Sequence, residues 1–244
     1  MKYKIRILKN GECRVRNYIT YTDGNDDTSL FYLYVYVIEG GEKPMLVDTG
    51  PRDVEVFNKG TGKYIPGGVI QKPEERTPEL LKQAGVEVND VSHVFITHLH
   101  GDHYDYFDLF PNAQFVVNKR GFTESLMGIK PNVMRVLARR WPQSLKLVED
   151  EEVMPGIRTF WLGCHSVCSQ AVAVDTTQGT VVFTGDVVYK YKNMENNIPI
   201  GWAEPEPCLE AMKKIRKVAD IVIPSHDPEI LERFPEGIIG DVSG

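Results

Sequence analysis

The sequence predicts an α/β protein in which two β-rich halves, each followed by helices, pack as two sheets face to face with helices outside. Three observations carry this. Apolar or alternating runs fall in two blocks, one within the first fifty residues and one from Leu145 onward. Helical patterns follow each block, so each sheet has an outer layer available to cover it. The 244 residues, 42% hydrophobic and 25% charged, sit at the averages for globular domains, and residues 1–244 are expected to form one domain.

The opening MKYKIRILKN alternates charge with apolar residues, which suits an edge or surface strand and not the unbroken apolar core of a signal peptide. CRVRNYIT, LFYLYVYVI and PMLVDTG follow, and the Gly, Asp and Asn clusters between these runs suggest a β-meander. Leu30 to Ile38 is half the length needed to span a bilayer and is rich in Tyr and Val, so it reads as a buried strand and no membrane partner is expected. Its rings Phe31, Tyr32, Tyr34 and Tyr36 read as core packing. Residues 60–77 are dense in Gly and Pro without periodicity, as in long surface loops that shape binding sites. Thr77 and Pro78 then mark the N-cap and first turn of a helix that stops at Gly85. A strand from Val91 to Thr97 comes next, then a short strand from Gln114 to Asn118 and helical patterns over 119–127 and 133–140. The β pattern returns in LKLVE, IRTFWLG, AVAVDT and TVVFTGD, ahead of a helix over 207–219 and a last strand, Ile221 to Pro224.

Charge and cysteine usage narrow the function. A net charge of -6 with no basic stripe repels phosphate backbones, so nucleic acid is excluded as a partner and a small-molecule substrate is favoured. Cys13, Cys164, Cys168 and Cys208 show no paired framework, which points to a reduced cytoplasm.

Chemistry concentrates in Thr97-His98-Leu99-His100-Gly101-Asp102-His103, where three of the six histidines fall within six residues beside a carboxylate. Imidazole and carboxylate are the usual ligands of catalytic zinc, and a turn leaving a strand lets closely spaced side chains converge. Without an ion, such a cluster would repel or shift its own members. Further candidates stand just beyond later strands: His165 in Gly163-Cys164-His165-Ser166, Asp186 in Thr184-Gly185-Asp186, and His226 in Pro224-Ser225-His226-Asp227. His93, inside a strand, reads as structural.

These motifs, in this order and spacing, resemble the metallo-β-lactamase-fold hydrolases over about Tyr32 to Asp227. The resemblance implies a four-layer αββα sandwich with two zinc ions, or iron, manganese or cobalt in their place. One ion would be held by His98, His100 and His165, and the second by Asp102, His103 and His226, with Asp186 bridging. Leu46-Val47-Asp48-Thr49-Gly50 looks like the family's first motif, whose Asp supports the ligand loop. The implied reaction is hydrolysis, a metal-bridging hydroxide attacking a carbonyl.

Tyr189, three residues past Asp186, is similar in placement to a tyrosine of the N-acyl-homoserine lactonase branch that contacts the substrate carbonyl. The loop after Asp48 and Phe110-Pro111-Asn112-Ala113 are similar to that branch as well. Lactone opening, with Asp102 and Tyr189 as catalytic residues, is therefore the expected activity, and assembly as a homodimer is compatible with it. Beyond His165 the family commonly shows Gly-His where this chain has Cys168-Ser169, and Tyr104-Asp105-Tyr106 stands where many members have small residues. Both departures are expected to border the site and alter the substrate. Cys164 and Cys168 read as small buried thiols. The rival readings are a glyoxalase-II-like thioester hydrolase, for which only Lys190 and Lys192 offer basic groups, and a non-catalytic metal-binding module.

Overall fold

The computed structural model describes residues 1–127, 131–140 and 142–242. Its strands up to residue 148 are β1 (Lys4–Arg16), β2 (Thr28–Glu39), β3 (Met45–Val47), β4 (His93–Phe95), β5 (Gln114–Asn118) and β6 (Leu145–Val148). Beyond them come β7 (Glu151–Met154), β8 (Ile157–Trp161), β9 (Gln170–Thr176), β10 (Gly179–Phe183), β11 (Ile221–Ile223) and β12 (Ile238–Ile239). The helices are α1 (Asn17–Thr20), α2 (Val54–Thr61), α3 (Thr77–Gln83), α4 (Gly101–Tyr104), α5 (Lys119–Leu126), α6 (Pro131–Arg140), α7 (Tyr191–Asn196), α8 (Pro205–Val218) and α9 (Glu229–Arg233).

Two sheets form among the described residues, with strand orders β12-β1-β2-β3-β4-β5-β6 and β11-β10-β9-β8-β7. In the first, β1, β2 and β3 pair antiparallel, and β3 to β6 pair parallel because helices or turns carry the chain back between them. The meander is thus realised in β1 to β3, with two differences. KIRIL and CRVR are one strand whose register slips between Lys9 and Gly11, a bulge that absorbs the intervening turn-forming residues. That strand is also interior, since the two-residue β12 covers its outer side.

The side chains of β2 explain the layering. Tyr34, Tyr36 and Ile38 point between the sheets, where they meet Ile5, Phe95, Val172 and Phe183. Val35 and Val37 point the other way, against Leu81 of α3 and Leu137 of α6. A strand buried on both faces needs no polar alternation, which is why LFYLYVYVI is almost wholly apolar. The second sheet is covered on its outside by Met212 and Ile215 of α8, packed on Ala173 and Val182. The result is the αββα sandwich of the metallo-β-lactamase fold. Each such buried side chain stabilises the fold by roughly 1.5–3 kcal/mol, and Phe183→Ala would cost about 3–5 kcal/mol.

The strand predicted over 91–97 forms ladder pairs only at His93–Phe95, while β7, β12, α7 and α9 were not anticipated. Thr77 is the first residue of α3 and not its N-cap; its hydroxyl donates to the Thr49 carbonyl at 2.6 Å. The reading of Cys164 as a thiol is overturned. Cys164, in the turn after β8, is joined to Cys208 of α8 by a disulfide with Cα atoms 5.2 Å apart. Residues 44 apart in sequence meet here because α8 packs against the sheet that contains β8, a proximity that spacing alone does not encode. This pair therefore gives no support to a reduced compartment. Cys13 and Cys168 are buried free thiols. No helix among the described residues is long and apolar enough to cross a membrane.

Candidate metal centre and active site

Strands β8 and β10 both run antiparallel to β9, and β11 runs parallel to β10, so β8, β10 and β11 end at the same edge of their sheet. The turns leaving them carry His165, Asp186 and His226. From the other sheet, the turn after β4 brings His98 and His100, and the single turn of α4 adds Asp102 and His103. The seven predicted residues meet at this seam. Gly185 makes the approach possible: it has φ 51°, and a Cβ there would lie 2.9 Å from Thr97 Cβ. Asp48 and Cys164 are non-glycine residues held in the left-handed region at φ 58° and 66°. Such conformations cost on the order of 1–3 kcal/mol unless their surroundings fix them, and both flank this cluster.

Ligand atoms of His98, His100, His165 and Asp186 lie within 4.8 Å of one another, and those of Asp102, His103 and His226 form a second such group. The Asp186 carboxylate stands between them. Its Oδ2 is 3.6 Å from His98 Nε2 and 3.5 Å from His165 Nε2. Its Oδ1 is 3.2 Å from His103 Nε2 and 3.0 Å from His226 Nε2. Asp102 Oδ2 is 3.6 Å from His103 Nε2 and 4.0 Å from His226 Nε2. His165 Nε2 and His100 Nδ1 are 2.9 Å apart.

The outer ring nitrogens are fixed by oxygen atoms. His103 Nδ1 lies 2.7 Å from Asp48 Oδ2, and His226 Nδ1 is 2.9 Å from the Tyr32 carbonyl, which can only accept. Asp48 also accepts from the Thr97 backbone N–H and hydroxyl, each at 2.8 Å, so one carboxylate ties the first-motif turn to the histidine turn. The support role read for Asp48 matches this geometry.

Burial lowers His98 well below its usual pKa, with His103 adding to the effect, and burial takes His165 down to about 3. Burial also opposes protonation of His103, but Asp102, Asp186 and Asp48 outweigh it and hold His103 well above its usual value. Asp186 is held well below the usual carboxylate range despite its burial, by the surrounding histidines. His98 Nε2, His103 Nε2 and Asp186 Oδ1 are buried without a hydrogen-bond partner. Orphaned buried donor and acceptor atoms aimed at one point are costly unless something completes them. A set of imidazoles and carboxylates suits divalent transition metals, so the residues fit such ions.

A cavity of about 290 Å³ opens beside the cluster. His100, Asp102, His165, Asp186 and His226 form its polar end, together with Tyr189, whose hydroxyl is 3.4 Å from His165 Nδ1. The remaining wall is apolar, from Val15 and Phe31 on β1 and β2 to Phe57, Tyr64 and Val69 on α2 and the following loop. The glycine- and proline-rich loop thus shapes the cavity as anticipated, and of the aromatic run only Phe31 reaches it.

The departures at Cys168-Ser169 and Tyr104–Tyr106 do not border the cavity. Cys168 Sγ accepts from the Leu99 backbone N–H at 3.3 Å, Tyr104 packs on Phe107, and Tyr106 lies under Arg52. These side chains fill the space behind the histidine turn. Sequence reasoning missed Trp202, in the turn between α7 and α8, which lines the cavity. A tryptophan in a Gly-Trp-Ala turn was the available signal, but nothing in the local pattern said what it faced. His93 is half-buried, with Nδ1 3.2 Å from Ser92 Oγ, away from the cluster as predicted.

The sandwich and the histidine seam define a class: the chain belongs to the metallo-beta-lactamase superfamily, whose family model matches residues 30–226. Within that class, it is 30% identical over 207 residues to the N-acyl homoserine lactonase AiiA of Bacillus thuringiensis, covering 81% of this chain and 82% of that one. A Bacillus sp. N-acyl homoserine lactonase is also 30% identical, over 84% of this chain and 86% of its own length. Among solved structures, an N-acyl homoserine lactone hydrolase with the product N-hexanoyl-L-homoserine at its catalytic metal centre superposes with a TM-score of 0.79 at 25% identity, over 96% of this chain and 97% of that one. A Bacillus thuringiensis AiiA mutant with N-decanoyl-L-homoserine at its active site gives 0.79 at 26% identity, with the same coverage.

Proposed function

We propose that this chain is a dinuclear metal-dependent hydrolase that opens small-molecule lactones. The observation that carries this reading is the Asp186 carboxylate, which presents one oxygen to each histidine group. His98, His100 and His165 would hold one ion, Asp102, His103 and His226 the other, and Asp186 both. Zinc suits these donors, with iron, manganese and cobalt as alternatives. Ions held there supply Lewis-acid polarisation of a carbonyl and a lowered pKa for water.

The protein's own groups do the rest. Burial, reinforced by Asp186 and Asp102, raises the Tyr189 hydroxyl well above its usual pKa, so Tyr189 keeps its proton and donates toward the oxygen on which charge develops. Asp102, at the cavity edge, accepts a proton from the attacking water and returns it to the alkoxide that leaves. A lactone suits this arrangement because its leaving oxygen stays tethered to the acyl group. The apolar wall takes an acyl chain, in keeping with the N-hexanoyl-L-homoserine and N-decanoyl-L-homoserine bound by the structural relatives. Residues 1–244 act as one domain, a reading supported by β1 and β12, from opposite ends of the chain, pairing in one sheet.

A glutathione thioester would need basic groups at the pocket. Among the described residues lining the cavity there is no lysine or arginine; Lys190 is buried on the Leu30 carbonyl and Lys192 lies over Tyr21. The test compares kcat/KM for homoserine lactones, other γ- and δ-lactones and S-lactoylglutathione under identical metal loading. A lactone is expected to lead. Thioester hydrolysis faster than every lactone by a hundredfold, about 2.7 kcal/mol of transition-state preference, would overturn the reading, and no turnover of any substrate would favour a binding module.

A further inference from the structure

Trp202 stands out because a large aromatic ring is left 51% exposed beside a polar cluster whose members are buried or half-buried. Its ring centroid is 5.1 Å from that of His165 and 6.3 Å from that of His100. Scattered exposed hydrophobics are ordinary, but one that forms the wall of a cavity at a reactive centre marks a contact surface for a ligand.

The indole is held there from both sides. On its N-terminal side, the Gly201 N–H donates to the Ile19 carbonyl at 2.9 Å. A Cβ at Gly201 would lie 1.8 Å from the Tyr18 carbonyl oxygen, so only glycine permits this approach to α1. Asn193 adds two bonds, from its side-chain amide to the Thr20 and Ile198 carbonyls at 3.0 and 2.9 Å. On its C-terminal side, α8 begins at Pro205, and Cys208 in its first turn is cross-linked to Cys164, the residue before His165. The same covalent link that anchors the His165 turn therefore ties that turn to the helix that follows Trp202. Across the histidine turn, Phe57 lies 3.6 Å from where a Gly101 Cβ would be, so a second ring lines the cavity beside the turn that carries His100.

We propose that Trp202 is a specificity-determining residue of this site: its indole face covers the first methylenes of the N-acyl chain of a lactone whose ring carbonyl lies at the histidine cluster. This rests on the lactone reading for the identity of the carbonyl compound, but chain contact can be measured without turnover. The ring-opened acids N-decanoyl-L-homoserine and N-acetyl-L-homoserine serve as probes of metal-free and zinc-loaded protein. Trp202 emission is isolated as the difference between wild type and Trp202→Phe.

N-decanoyl-L-homoserine is expected to shift that emission to shorter wavelength as the ring is covered, and N-acetyl-L-homoserine to leave it in place. In kinetics, Trp202→Ala is expected to raise KM for N-decanoyl-homoserine lactone tenfold or more, to change KM for the N-acetyl lactone less than threefold, and to leave kcat within threefold. Trp202→Phe should recover most of the decanoyl KM, because the apolar face is retained. An emission spectrum unmoved by the decanoyl acid, or a KM rise in Trp202→Ala equal for both chain lengths, would overturn the proposal. A wild type that turns over no lactone would defeat the lactone reading alone, since the emission shift would still decide the role of Trp202.

Discussion

The two histidine groups contain similar donors but are held in place differently. In the group of Asp102, His103 and His226, each imidazole is backed by a hydrogen-bonding oxygen, at 2.7 Å from Asp48 and 2.9 Å from the Tyr32 carbonyl. In the group of His98, His100 and His165, the corresponding contacts are looser: His98 Nδ1 is 3.3 Å from the Thr97 hydroxyl, and His165 Nδ1 is 3.4 Å from Tyr189. Their electrostatics also diverge. Three carboxylates hold His103 well above its usual pKa against its burial, whereas burial pushes His98 and His165 down. On the proposed reading, one group would be prepared for a cation by hydrogen bonds and charge, the other by burial and by a backbone turn pinned through Cys164. Outer partners of this kind orient ligands and tune their affinity for the ion.

The most damaging change should be the one that strikes both groups. Asp186→Ala removes the carboxylate they share, and kcat/KM is expected to fall by at least about a hundredfold together with metal content, while the circular dichroism of the fold persists. Retention of both metals and full turnover would break the comparison at its hinge. Asp48→Ala should act on one group only. It is expected to weaken one ion by roughly 10–100-fold, in the range for outer partners, leaving the other nearly unchanged in a competition titration with a chromophoric chelator. Equal weakening of both would mean that the support is shared.

Tyr189→Phe tests the other group's contact. Turnover should drop roughly ten- to a hundredfold, the range for one lost hydrogen bond to a developing oxyanion, with metal content unchanged. An unaffected rate would return Tyr189 to a packing role.

The smallest effect is on stability. In metal-free protein the His165 pKa is depressed from 6.5 to about 3. As pH falls below 6.5 the unfolded chain takes up a proton at this site and the folded chain does not, so His165 erodes stability between those values by up to about 1.4 kcal/mol per pH unit. The raised His103 has the opposite sign: its contribution is full below 6.5 and is lost as pH rises through its folded value. His165→Gln should therefore flatten the acid-side fall in Tm of the metal-free protein, and His103→Gln should not. Parallel Tm curves for wild type and His165→Gln would contradict this.

The seven clustered residues were legible in the sequence because their chemistry is local: four lie within six positions, and the other three each stand just beyond an apolar run. Strands reveal themselves in the same way, through runs of side chains that must be buried. The bulge at Lys9–Gly11 was not legible, since pairing across it is decided by β2. Neither was the Cys164–Cys208 link, nor the position of Trp202, which depends on α1, α7 and α8 meeting. The departures at Tyr104, Tyr106 and Cys168 were read as pocket changes because they are near His103 and His165 in sequence. Their side chains turn into the packing behind the turn, a direction fixed by tertiary structure.

The central claim is that seven side chains hold two ions around Asp186. Elemental analysis of active protein after dialysis against metal-free buffer tests it most directly. Two tightly bound divalent ions per chain are predicted, and fully active protein retaining no more than one would contradict the account.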